Sequence, residues 1–136
     1  GALGAYEKLF ASSPKSKEDA DLQWGFRDML LQAKQYDKLE QQLAAVISGG
    51  SRPDAAKAQI MRGDAKMAQN QVEAAAMDYL RTVILYANEK ASQPAALLKA
   101  GDALEKLRDA RSKEMFKKLV DEYPESPEAA AAKARL

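Results

Sequence analysis

Three glycines, Gly25, Gly63 and Gly101, stand 38 residues apart in a chain otherwise written in helix-forming residues. A glycine inside a helix costs about 1 kcal/mol relative to alanine, so three at one spacing call for a shared packing reason. The close approach of a partner helix is such a reason. A fixed period of this length, with one close crossing per period, restricts the chain to stacked helical hairpins. Composition agrees: alanine occurs 27 times, whereas valine, isoleucine and threonine together occur eight times, which leaves few good strand formers. The expected fold class is all-α, antiparallel helical hairpins stacked as a solenoid.

Local signals divide the chain into eight helices. Residues 2–12 carry Tyr6, Leu9 and Phe10 and stop at Ser12-Ser13-Pro14, because proline disfavours helical geometry in the residue before it. Ser16 to Asp19 read as a cap with acids in the first turn, opening a helix over about 17–33 that holds Trp24, Phe26, Met29 and Leu30. A helix over about 36–48 ends at Gly49-Gly50. Ser51-Arg52-Pro53-Asp54, Ser92-Gln93-Pro94 and Ser126-Pro127-Glu128 each combine a serine cap with an early proline. They open helices over about 52–69, 94–107 and 127 to the chain end. Asn70-Gln71 turns the chain into a helix over about 72–88, and Ser112 caps the helix that ends at Pro124. The links are short, so each helix runs antiparallel to the next.

The second helices share a further register. Tyr6, Leu43, Tyr79 and Phe116 occupy one position, and four residues later come Phe10, Ile47, Val83 and Val120. Ala75 and Ser112 stand four residues before two of these anchors, small enough to let helices cross closely.

With 21 basic and 20 acidic residues interspersed, the chain lacks the basic stripe of a nucleic-acid footprint, and no nucleic-acid partner is expected. The stretch from Lys106 to Lys118 reads as a solvated helix face. There is no cysteine or histidine, which removes disulfides, the usual zinc ligands and the commonest general base. No enzyme activity, metal or cofactor is expected. The acids at Glu18-Asp19, Asp121-Glu122, Glu125 and Glu128 lie at helix termini, where dipole compensation and solvation account for them. Apolar runs such as Leu43 to Ile47 fall far short of the roughly 20 residues that cross a bilayer, so no direct membrane insertion is expected.

The spacing of Gly63, Ala75 and Tyr79, and of Phe116 and Pro124, resembles the tetratricopeptide repeat. The likeness covers nearly the whole chain, with a longer link and Gly49-Gly50 as the departures in the first unit. It implies a right-handed solenoid in one domain over residues 1–136: a half-repeat at 1–15, repeats at about 16–52, 53–91 and 92–125, and a half-repeat at 126–136, as in a fragment of a longer array. The segment from Phe116 to Ala129 is similar to repeats in bacterial envelope proteins of the Tol-Pal coordinator and outer-membrane assembly lipoprotein type, which favours a bacterial periplasm or cell envelope slightly over the cytoplasm, where the same segment is also used.

The resemblance also implies a function: a protein–protein interaction or scaffolding module whose concave face binds a peptide segment or partner protein. The implied concave positions are Leu22, Phe26 and Met29; Ile60, Asp64 and Met67; and Leu98, Asp102 and Glu105, a groove apolar at one end and acidic at the other. Phe26, Asp64 and Asp102 stand where family members that clamp a terminal carboxylate carry asparagine, so that ligand is disfavoured. Trp24 and Phe26 lie about 200° apart around one helix and cannot share a face; core packing competes with a groove role for both. The alternative function is a spacer that self-associates as a homo-oligomer through its end helices, using Tyr6 and Phe10; an enzyme working with carboxylates and lysines is the remote alternative.

Overall fold

A computed structural model describes residues 1–13 and 19–136. All regular structure among them is α-helical: α1 (Ala2–Ser12), α2 (Ala20–Gln32), α3 (Tyr36–Gly49), α4 (Arg52–Ala68), α5 (Val72–Leu85), α6 (Gln93–Lys106), α7 (Arg111–Glu122) and α8 (Pro127–Lys133). The residues form two compact units, Gly1–Gln42 and Leu43–Leu136, with the boundary inside α3.

In the first unit α1 packs on α2. Phe10 meets Phe26 edge-on, with ring centroids 5.3 Å apart, and Tyr6 lies 6.2 Å from each of them. Trp24 lies outside that cluster, beneath the Arg27 guanidinium at 4.5 Å, as the 200° separation requires. The Asp19 side chain accepts from the Leu22 amide and caps α2. The expected start near 17, with Ser16 as cap, and the stop at Pro14 lie outside the described residues.

In the second unit each helix from α4 to α8 packs on the next, and α6 also packs on α8. One core runs from Ile60 through Tyr79, Leu97 and Leu104 to Phe116, Leu119 and Ala132. Its alanines, Ala75, Ala96, Ala100 and Ala103, are fully or almost fully buried, so the abundant alanine serves close helix crossing rather than propensity alone. At Gly63 an added Cβ would lie within 2.9 Å of three atoms of the Tyr79 ring, and at Gly101 within 2.8 Å of three atoms of the Phe116 ring. At Gly63 and Gly101 the period is therefore a glycine-on-aromatic contact inside the α4–α5 and α6–α7 hairpins. Gly25 differs, because it faces the hydroxyl of Tyr6 on the preceding helix.

Ser51 and Ser126 cap α4 and α8 by accepting from the Asp54 and Ala129 amides. Two other expected caps are corrected. Ser92 stands at the start of α6 in helical geometry with no side-chain bond, because the preceding residues already turn through backbone bonds from Glu89 and Ser92 amides to Tyr86 and Glu89 carbonyls. Ser112 lies within α7 and is buried; the Asp109 carboxylate does the capping by accepting from the Arg111 amide and guanidinium, which holds its carboxyl down at about 2. Helix α5 ends at Leu85 rather than 88. Arg52 donates to the Leu85 carbonyl, and buried Gln93 donates to the carbonyls of Thr82 and Tyr86, so the last carbonyls are taken by side chains. Helix α8 stops at Lys133, short of the chain end.

Candidate functional site: the groove between helices α4 and α6

The seven-residue link 86–92 between α5 and α6 is longer than the four-residue link 123–126 between α7 and α8. Whereas α6 packs directly on α8, a groove of about 470 Å³ lies between α4 and α6. Ile60, Met61 and Ala95 form its apolar floor, and Asp54, Lys57 and Lys99 stand along it. Both floor residues of α4 are 8% exposed, so the floor is fixed by the core beneath.

Asp64 closes one end. Its carboxylate accepts from the Tyr79 hydroxyl at 2.6 Å, and both its oxygens accept from Lys99 Nζ at 2.9 Å. Three helices thus meet on one acid. Burial, and then the Asp64 charge, push the Tyr79 hydroxyl far above the usual tyrosine range, so it remains a neutral donor. The plan repeats one period on. Arg135 donates to Asp102 at 2.7 Å and to Glu105, and its guanidinium lies 5.3 Å over the Phe116 ring.

Of the concave positions expected from sequence, Ile60 and Asp64 line this groove. Met67 and Leu98 instead pack against the core. Asp102 and Glu105 are brought together by Arg135, which offsets one of their two charges while all three side chains stay partly exposed. In the first unit Leu22 and Met29 are half-buried, and Phe26 is engaged by Phe10 and Tyr6. Phe10 is itself buried, so its ring belongs to the interior of its unit. Ala75, Tyr79 and Phe116 are buried as repeat-defining positions, and Pro124 is exposed just beyond α7. Sequence reasoning missed Lys57, Met61, Ala95 and Lys99. One signal was present: Asp64 and Asp102 hold one register, and each has a cation about one period later, at Lys99 and Arg135.

Residues 95–126 match the family model of the tetratricopeptide repeat. The match runs from within α6 through α7, and the α4–α5 hairpin repeats its glycine-on-aromatic contact, so the all-helical fold is tetratricopeptide-like. Tetratricopeptide repeats in general mediate protein–protein interaction. No curated protein and no solved structure matches the chain. No helix among the described residues is long and apolar enough to cross a membrane.

Proposed function

We propose that this chain is a protein-binding module that takes a segment of a partner protein into the α4–α6 groove. The observation that carries this reading is the groove itself: an apolar floor backed by the core and edged by both signs of charge. Asp64 is tied by hydrogen bonds from Tyr79 and Lys99, which suits a strut between helices better than a proton carrier. An apolar side chain seated on Ile60, Met61 and Ala95, flanked by charged residues facing Lys57 and Asp54, is the ligand such a surface fits. The likeness of residues 116–129 to envelope repeats supports a place in the bacterial cell envelope, which fractionation of the producing cells would check.

A peptide library panned against the protein should yield binders that Lys57→Glu combined with Ala95→Gln weakens by about tenfold or more, with the melting temperature nearly unchanged. Binders of equal affinity for the variant would place the site elsewhere.

A further inference from the structure

The outer face of α5 departs from its sister helices. Met77, Ile84 and Leu85 are 51%, 69% and 60% exposed, and with Leu80 they form an i, i+3, i+7, i+8 stripe, the pattern by which a helix buries an apolar face. Yet α5 already buries the opposite side through Ala75, Tyr79, Thr82 and Val83. A helix apolar on both sides is expected to be covered on both.

The chain supplies its own control. Aligning Phe116 with Tyr79 places Glu114, Lys117, Asp121 and Glu122 of α7 at the positions of Met77, Leu80, Ile84 and Leu85, and all four are exposed. Aligning Leu43 with Tyr79 places Gln41, Ala44, Ser48 and Gly49 of α3 there. The scaffold therefore does not require apolar residues at these positions.

Two grooves flank the stripe, and Met77 lines both. On the α4 side a groove of about 450 Å³ carries Arg62, Lys66 and Arg81. Its one acid, Asp78, is buried and already accepts from Gln59 and Arg81. On the other side a groove of about 370 Å³ is floored by Leu80, Leu104 and Leu107 and edged by Glu73 and by the Asp109–Arg111 ion pair. An apolar ridge between two grooves is what a second helix packs on. The α5 backbone bonds internally and offers no edge for an added strand. With Arg81 held by Asp78, Arg62 and Lys66 leave the α4 flank basic, which favours acids along that edge of the occupant.

We infer that the outer face of α5 docks an amphipathic helical segment of a partner protein whose apolar stripe is edged by aspartate or glutamate on the side that meets α4. This surface is separate from the α4–α6 groove and does not depend on that reading.

The test uses a labelled synthetic helical peptide of roughly 20 residues, with leucines at i, i+3 and i+7 and flanking glutamates, beside the same peptide with lysines for glutamates. The glutamate peptide should bind the full chain, more weakly as salt rises, and the lysine peptide about tenfold or more weakly still. Met77→Glu with Ile84→Asp, which borrows the residues of α7, should abolish binding while leaving helicity and melting unchanged. Should that pair unfold the protein, Lys66→Glu alone should weaken the glutamate peptide about tenfold. The Lys57→Glu, Ala95→Gln protein should bind it as the wild type does. Absence of binding up to about 1 mM peptide, equal binding of the two peptides, or unchanged affinity in the α5 variants would overturn the assignment. A wild-type dimer in sedimentation that Ile84→Asp dissolves would also overturn it, by making a second copy the occupant.

Discussion

At Gly63 and Gly101 a hydrogen occupies space that a methyl group cannot. Alanine at either position gains about 1 kcal/mol of helix propensity but drives Cβ into a ring that is 2% exposed at Tyr79 and fully buried at Phe116. Such overpacking costs about 1–3 kcal/mol or more, and with three ring atoms in the way the upper part of that range applies. Gly63→Ala and Gly101→Ala should each lower stability in urea by about 1–2 kcal/mol net. Gly25→Ala meets the tip of a half-buried tyrosine that can swing aside, so it should stay within about 1 kcal/mol of wild type. Equal losses at all three positions would sink the aromatic-contact explanation. Tyr79 carries a second prediction. Its hydroxyl stays protonated in the folded state far above pH 10, whereas in the unfolded chain it ionises near pH 10. Its contribution is thus fully present below pH 10 and is lost as pH rises beyond it. Relative to Tyr79→Phe, the wild type should lose about 1.4 kcal/mol between pH 9 and 11, measured by urea unfolding at each pH. A difference that does not change with pH would mean that the hydroxyl ionises equally in both states.

At the scale of the element, the turns inside the hairpins hold what the sequence concealed. Lys34, Asn70 and Arg108 have φ of 60°, 61° and 56°, and each is followed by a residue whose amide closes the helix: Gln35 to the Leu30 carbonyl, Gln71 to that of Lys66, and Asp109 to that of Leu104. This is the helix-ending geometry usually given to glycine. Asparagine tolerates it; lysine and arginine are strained by about 1 kcal/mol each. Lys34→Gly and Arg108→Gly should therefore stabilise the protein by about 0.5–1 kcal/mol in thermal or urea melts, with Asn70→Gly gaining less. Destabilisation at Arg108→Gly would show that the arginine side chain matters more than its backbone. Helix positions were legible because serine, proline and glycine mark ends by local chemistry, as at Ser51 and Ser126. The glycine–aromatic register was legible because it recurs. The left-handed lysine and arginine were not, since nothing in either side chain requires that backbone. Nor were the site's partners: Lys99 lies 35 residues from Asp64 and Arg135 33 residues from Asp102, distances at which only the fold decides contact. Ser92 and Ser112 failed as caps for a local reason, because the preceding turn had already satisfied or displaced the helix start.

Across the whole molecule, apolar burial is unevenly divided. Among the described residues up to Gln42 the buried apolar side chains are Phe10, Leu30 and Leu39, whereas the second unit buries a continuous series from Leu43 to Ala132. In stacked repeats, stability is close to a sum of each repeat's own term and its contacts with neighbours, so segments with few buried contacts open at lower free energy than the global transition. The Asp64–Tyr79–Lys99 cluster adds a tie among α4, α5 and α6 that joins one hairpin to the next, and Arg135 adds one from the end of α8 to α6. Native-state hydrogen exchange should therefore find the strongest protection in α5, α6 and the first turns of α7, with α1 and α2 exchanging through openings of lower free energy. Lys99→Met removes the tie to Asp64 while retaining an apolar stem, and should lower protection in α4 more than in α7. Uniform protection from α1 to α7 would show instead that the chain opens as one cooperative body. In that case the uneven burial would not translate into uneven stability, and the sum over neighbouring repeats would be the wrong description of this protein.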